Sequence, residues 1–389
     1  MTMMTSVHSN GAEALPLGDQ ASSAVVFESF DLPSSNQRQL RVPHPAGIVI
    51  PLALRPSQRD TDDINLDDVI ATIKGLQSQD KLLTEKLALH GTLLFRGLPI
   101  RNADDFSRFA HAFGFKPHEI IGAVVDRPVL APNVGPANTA SKDLPIHSHN
   151  ESPQVPHAPE YIFLYGHKAP SKGGETPMSS SLELFARLQE EVPEFIANLA
   201  HKGLLTQIAY NKEAQYSGGS GLKEAFGKKI VEGDDLATRR SKIEAQIARY
   251  GRGAHTSWEW LDNDEGIMVT HRLPVIRTQP GTNLPTVFTG LASQYTRKNA
   301  VQQLYGDGTP IPDEYLKRLV AITEEIRVLH RWEDGDVLVY DNIIAQHGRQ
   351  PWEGEQTDRV IMASLFDGDE VPGAYGDADW AQVMQALDD

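Results

Sequence analysis

Short apolar runs closed by turn residues recur in both halves of the chain, and they leave a β-rich core as the economical way to bury them. Asp336-Val-Leu-Val-Tyr340 is the strongest of these runs. Gly91-Thr-Leu-Leu-Phe-Arg-Gly97 reads as a buried strand stopped by Gly97 and Pro99. Further strand-like pieces lie at 161–167, 266–277 and 286–289. Between them the apolar spacing turns helical: Phe106, Phe109, Ala110 and Phe113 over 104–115, a long face over 181–201 that Pro193 should divide in two, and 313–328. Short strands with helices between them predict an α+β chain with a mainly β core.

Residues 1–25 are small and polar without sustained periodicity and read as a flexible arm, leaving 26–389 as one domain. From 212 to 252 the chain turns polar, with Ser217-Gly-Gly-Ser-Gly221 followed by many charges, which reads as an inserted lid. The acidic tail over 376–389 carries Trp380, Val383, Met384 and Leu387 at helical spacing, the pattern of a docking helix or a homo-oligomer contact. Gly221-Leu-Lys-Glu-Ala-Phe-Gly-Lys-Lys229 is not a phosphate loop, because Lys229 stands where Ser or Thr should hold magnesium.

Composition removes several function classes. A formal charge of −16, from 52 acidic and 36 basic residues, repels nucleic acid and anionic membranes. With no cysteine, thiolate metal sites and cysteine nucleophiles are excluded, so any metal must sit on His, Asp or Glu. The start has no basic flank followed by an apolar stretch, and no window is apolar for long enough to cross a bilayer, so a cytoplasmic location is expected.

The chemistry gathers around His147-Ser-His149-Asn-Glu151 and the distant Ile344-Ala-Gln-His347-Gly-Arg349. On an extended segment, residues two apart point to the same side, so His149 and Glu151 can reach one ion. Adding His347 gives two imidazoles and a carboxylate, the facial set that leaves positions open on iron(II). By itself this pattern is weak, since 14 histidines generate it by chance and hydrogen-bonded or surface residues satisfy it equally. His157 and His167 have no carboxylate at ligand spacing and read as structural.

Two further segments change the weighing: Pro170-Ser-Lys-Gly-Gly-Glu-Thr176 after the first pair, and Arg359-Val-Ile-Met-Ala-Ser after His347. With them, the region from Gly91 to Leu365 resembles the taurine and 2,4-dichlorophenoxyacetate dioxygenase superfamily, in particular its clavaminate synthase and SyrP-like branch. The family's H-x-D/E pair falls on His149 and Glu151, its Gly-Gly-Asp/Glu-Thr segment on 173–176, and its Gly-Asp lead-in to the distal His on Gly335-Asp-Val-Leu-Val-Tyr-Asp-Asn342. The resemblance implies a double-stranded β-helix, or jelly roll, with flanking helices. It implies Fe(II), 2-oxoglutarate and O2 as cofactor and co-substrates, with His149, Glu151 and His347 on the metal. Arg359 would hold the distal carboxylate of 2-oxoglutarate with Thr176 beside it, and Arg349 is the alternative Arg. Related halogenases carry Gly or Ala at the Glu151 position, so the carboxylate argues for oxygenation.

The implied reaction couples decarboxylation of 2-oxoglutarate to succinate with oxidation of an unactivated C–H bond in a small molecule. An amino acid or amino-acid derivative of specialised metabolism is the expected substrate class, with hydroxylation, desaturation or oxidative cyclisation such as aziridine formation as outcomes. Phe288, Ile343 and Arg272 are candidates for touching substrate by position alone. The rivals are a zinc hydrolase on the same ligands, which would have no need of Thr176 or Arg359, and a non-catalytic binding protein of the same fold.

Overall fold

The structure is a computed structural model, and it describes residues 25–57, 64–79, 81–122, 128–137, 140–212, 221–261, 266–297, 302–376 and 380–387. Its largest sheet runs Phe27–Ser29, Leu52–Pro56, Thr92–Phe95, Val337–Asp341, Tyr161–Lys168, Val360–Asp367 and Lys116–Pro117, with Gly135–Pro136 also on Val360–Asp367. Only Leu52–Pro56 with Thr92–Phe95 pairs in parallel; the other neighbours in this sheet are antiparallel. A smaller antiparallel sheet runs Val328–His330, Thr176–Ser180, Ala345–Arg349 and Ile146–His149.

The strand Val337–Asp341 shows how the layers are made. It is buried throughout, and successive side chains alternate between faces. Val337 and Val339 join Phe95, Phe163 and Phe366 in a core capped by helical residues such as Ile73, Leu87, Phe106 and Phe109. Leu338 and Tyr340 point the other way and pack with Leu94, Ile162 and Leu164 against Met178, Val328 and Ala345 of the smaller sheet. The chain is thus a helix layer, a large sheet and a small sheet, with helices Ser181–Glu191, Pro193–Lys202 and Asp313–Ile326 in a further core. The α+β expectation with a mainly β core holds, including the division at Pro193.

Asp336 anchors the edge of this arrangement. Arg96 places its fork on the carboxylate at 2.8 and 2.9 Å, and His330 Nε2 lies 3.1 Å away. Burial disfavours the charge of Asp336, but Arg96 and His330 outweigh burial and hold its carboxyl below the usual value.

The expected insertion has folded structure, and the expected tail helix needs correction. In the expected lid, 213–220 lies outside the described residues, and the rest folds as helices Leu222–Phe226 and Leu236–Tyr250. Ile243, Ile247 and Tyr250 recur at helical spacing and pack with Phe226 against Tyr210, Ile267 and Val269 of a separate sheet. That apolar face was hidden in the sequence by the charges around it. In the tail, the described residues 380–387 form turns and no helix, yet the segment docks: Trp380 is buried and its indole N–H donates to Ala200 O at 2.7 Å. The expected arm at 1–25 lies, save its last residue, outside the described residues.

Candidate active site

His149 and His347 are direct cross-strand partners on the smaller sheet. The register shifts between His347 and Arg349, where the strand Ile146–His149 carries the extra residue; such bulges re-aim side chains near functional sites. The ring centroids stand 4.7 Å apart, and His347 Nε2 lies 3.4 Å from Glu151 Oε2. Ligand atoms of all three residues fall within 4.8 Å of one another. His147, the neighbouring imidazole, turns away towards Glu324 at 3.5 Å.

This donor set fits a divalent transition metal. His149 Nδ1 is 2.9 Å from the His147 carbonyl, which fixes Nδ1 as the protonated nitrogen and leaves the Nε2 lone pair for the ion. Burial, and then the adjacent His347, push His149 down to about 4, so it is neutral at physiological pH as a ligand must be. Glu151 is placed by Asn342, whose Oδ1 accepts from Glu151 N at 2.7 Å and whose amide donates to Glu151 O at 3.1 Å and Pro159 O at 2.8 Å. Asn150 braces the same region, donating to Asn342 O at 2.6 Å and accepting from Thr289 N at 2.9 Å.

The three residues open into a cavity of about 230 Å³ lined from both sheets. Ile162, Leu164, Ile361 and Leu365 form an apolar wall from the large sheet, and Thr176, Arg349 and Arg359 lie in the same lining. Arg359 Nε donates to Gly174 O at 2.9 Å and its terminal nitrogen to Thr176 Oγ1 at 3.4 Å; Trp332 Nε1 donates to the same hydroxyl at 2.9 Å. Burial, followed by the nearby Arg349, pushes Arg359 down to about 9, still cationic at neutral pH. Arg349 donates to the carbonyls of Ala140, Ser141 and Leu144 at 2.9, 2.5 and 2.6 Å.

The glycine pair before Thr176 has a steric cause. Both glycines have positive φ, and a Cβ on Gly173 would sit 2.4 Å from Pro351 O. One on Gly174 would lie 3.0 Å from Arg359 Cδ and 3.2 Å from its Nε. The turn therefore delivers Thr176 and Arg359 to one spot only without side chains there.

None of the residues proposed for substrate by position lines this cavity. Phe288 is buried beneath the Arg277 guanidinium at 3.8 Å, Arg272 donates to Lys202 O at 3.1 Å over the Trp380 ring, and Ile343 packs with Leu182 and Ile344. The sequence reading missed Arg297, exposed at the end of the short helix Leu291–Tyr295, which lines the cavity with His149 and Glu151. Nothing in its polar surroundings marked it; only the packing of that helix against the strand Ile146–His149 brings it there.

Residues 53–365 match the family model described as taurine catabolism dioxygenase TauD, TfdA family. The chain belongs to the TauD/TfdA family. A clavaminate synthase-like protein of Arabidopsis thaliana is 30% identical over 298 residues, covering 75% of this chain and 86% of the relative. The dapdiamide synthesis protein DdaC of Enterobacter agglomerans is 28% identical over 303 residues, 73% of this chain and 84% of that one. Among solved structures, an asparagine oxygenase in complex with Fe(II), 2S,3S-3-hydroxyasparagine and succinate superposes with a TM-score of 0.46 at 12% identity, over 77% of this chain and 83% of that one. As a TauD/TfdA member the protein is an oxidoreductase, a dioxygenase that works with iron(II), 2-oxoglutarate and dioxygen. The hydrolase and binding-protein rivals fall with that membership. Among the described residues, no helix is long and apolar enough to cross a membrane.

Proposed function

We propose that the protein oxidises an unactivated C–H bond of a small amino acid or amino-acid derivative, acting as a single domain over 26–389 with a jelly-roll core. In the hydroxylating case the substrate C–H, dioxygen and 2-oxoglutarate become C–OH, carbon dioxide and succinate. The observation that carries the substrate class is Arg297 at the cavity, a third guanidinium besides Arg349 and Arg359 against the one carboxylate of Glu151. That excess of positive charge suits a dianionic co-substrate and one more carboxylate.

His149, Glu151 and His347 would hold the iron(II). Bound there with 2-oxoglutarate and dioxygen, the ion supplies the oxidising power that breaks the C–H bond. The chain does the rest. Arg359 and Thr176 fix the distal carboxylate of 2-oxoglutarate and so orient its keto acid end towards the His pair. The Ile162, Leu164, Ile361 and Leu365 wall excludes water from the reacting centre. Arg297 holds the substrate carboxylate, setting which C–H bond faces the metal. The relative named for dapdiamide synthesis supports a place in specialised metabolism.

Succinate release over a panel of free amino acids and their carboxamides tests this reading. A free amino acid should raise succinate formation above the substrate-free rate, and its carboxamide should not. Arg297→Met should raise KM for the free acid while leaving substrate-free turnover of 2-oxoglutarate unchanged. Equal stimulation by acid and carboxamide, or an unaltered KM in the variant, would remove Arg297 and the amino-acid class together.

A further inference from the structure

A second cluster with metal-ligand chemistry lies outside this cavity. His118 follows the strand Lys116–Pro117, His157 sits in the loop between Glu151 and the strand Tyr161–Lys168, and Asp367 closes the strand Val360–Asp367. One ligand atom from each falls within 4.8 Å of the others. The two rings are 4.3 Å apart at 30°. His118 Nδ1 donates to Asp367 Oδ1 at 2.5 Å. His157 Nε2 faces Asp367 Oδ2 at 3.7 Å, beyond hydrogen-bond reach, and has no hydrogen-bond partner although only 8% of the residue is exposed.

A buried imidazole nitrogen without a partner is destabilising, and such a group calls for an explanation. Two carboxyl groups lie beside it, Asp367 and Glu160. Glu160 lines the same small cavity of about 90 Å³, and burial, then repulsion from Asp367, pushes its carboxyl up to about 8. Arg277 and Arg252 also act here, the first opposing the rise at Glu160 and the second disfavouring charge on His157. His157 Nε2 thus stands unpartnered 3.7 Å from the Asp367 carboxylate, where one ion could meet it together with His118.

We propose that His118, His157 and Asp367 bind a second divalent cation of the zinc class, separate from the iron. Two imidazoles and one carboxylate are borderline ligands suited to zinc, with water completing four-coordination. Binding moves the His118 proton from Nδ1 to Nε2, so the hydrogen bond to Asp367 gives way to coordination. The linings of the two cavities share no residue. His118 and Asp367 are 249 positions apart, and His157 lies on the loop that begins at Glu151. The ion would thus clamp the segment leaving an iron ligand onto the end of the strand that follows Arg359.

The test is metal stoichiometry in the full chain, stripped with chelator and titrated with cobalt(II), followed by its visible bands, and then with zinc(II), followed by elemental analysis. Wild type should take up two equivalents. The His149→Ala/His347→Ala protein, in which the new cluster is untouched, should keep one, and zinc should raise its Tm. Adding His157→Ala or Asp367→Asn should remove the remaining equivalent and the Tm response. One equivalent in wild type, none in the His149→Ala/His347→Ala protein, or one that survives His157→Ala would overturn the proposal. Because the second arm leaves the cluster intact, misfolding of a cluster variant cannot shield it.

Discussion

Replacing Arg359 with Lys separates the positive charge of the cavity from the fork that delivers it. Arg359 is anchored through Nε on Gly174 O and shares Thr176 Oγ1, so its position is set before any ligand arrives. A charge-assisted hydrogen bond to a carboxylate contributes about 1.5–3 kcal/mol. The lysine of Arg359→Lys would keep the charge but lose one of two such bonds, about 2 kcal/mol, or roughly 30-fold in the Kd for 2-oxoglutarate. Arg359→Ala, losing both, should cost about 4 kcal/mol, on the order of 1,000-fold. Calorimetry under anaerobic conditions with manganese(II) in place of iron(II) reads these values without turnover. Arg349→Lys is the internal control: its terminal nitrogens are engaged by three backbone carbonyls, so its loss should show in stability before affinity. If Arg359→Lys binds within threefold of wild type while Arg349→Lys loses the ligand, the co-substrate roles have been assigned to the wrong arginine.

Gly174→Ala should mimic part of this loss, because its Cβ would meet Pro170 Cγ at 2.7 Å and press on Arg359 Cδ at 3.0 Å in a backbone conformation with positive φ; 2-oxoglutarate KM should rise at least tenfold with metal content unchanged, as elemental analysis would show. Asn342→Ala removes three hydrogen bonds, to Glu151 N, Glu151 O and Pro159 O, so it should destabilise by about 3 kcal/mol in urea unfolding and weaken metal retention. His271 is fully buried against Tyr250 Oη at 2.7 Å and Thr256 Oγ1 at 3.0 Å, and burial, then Arg252, pushes it down to about 3. Between about pH 3 and 6.5 the unfolded chain binds a proton there that the folded chain does not, so stability present above about 6.5 falls as pH drops, with a slope of up to about 1.4 kcal/mol per unit. His271→Gln should flatten that slope in thermal melts, and parallel slopes would refute the assignment.

The residues that sit on strands and in motifs were legible in the sequence, because period-two burial and local spacing are properties of the chain itself. His149, Glu151 and His347 come together as expected, and Thr176 meets Arg359 as the family pattern implies. What stayed hidden depends on pairing between distant segments. Arg297 reaches the cavity only through the packing of a five-residue helix on the strand Ile146–His149. His157 has no carboxylate at ligand spacing along the chain and meets Asp367, at 3.7 Å, only across the fold. The apolar face after 221 was not legible because its buried positions are four in a fifteen-residue helix otherwise rich in charge.

The most direct test of the account is an anaerobic titration of the iron(II)-loaded protein with 2-oxoglutarate, watched for the visible charge-transfer band of the chelate. The account predicts a band in wild type that disappears in His149→Ala and His347→Ala and needs more 2-oxoglutarate in Arg359→Ala. No band in wild type, or one undiminished without His149, would contradict the assignment of His149, Glu151 and His347 as the iron site.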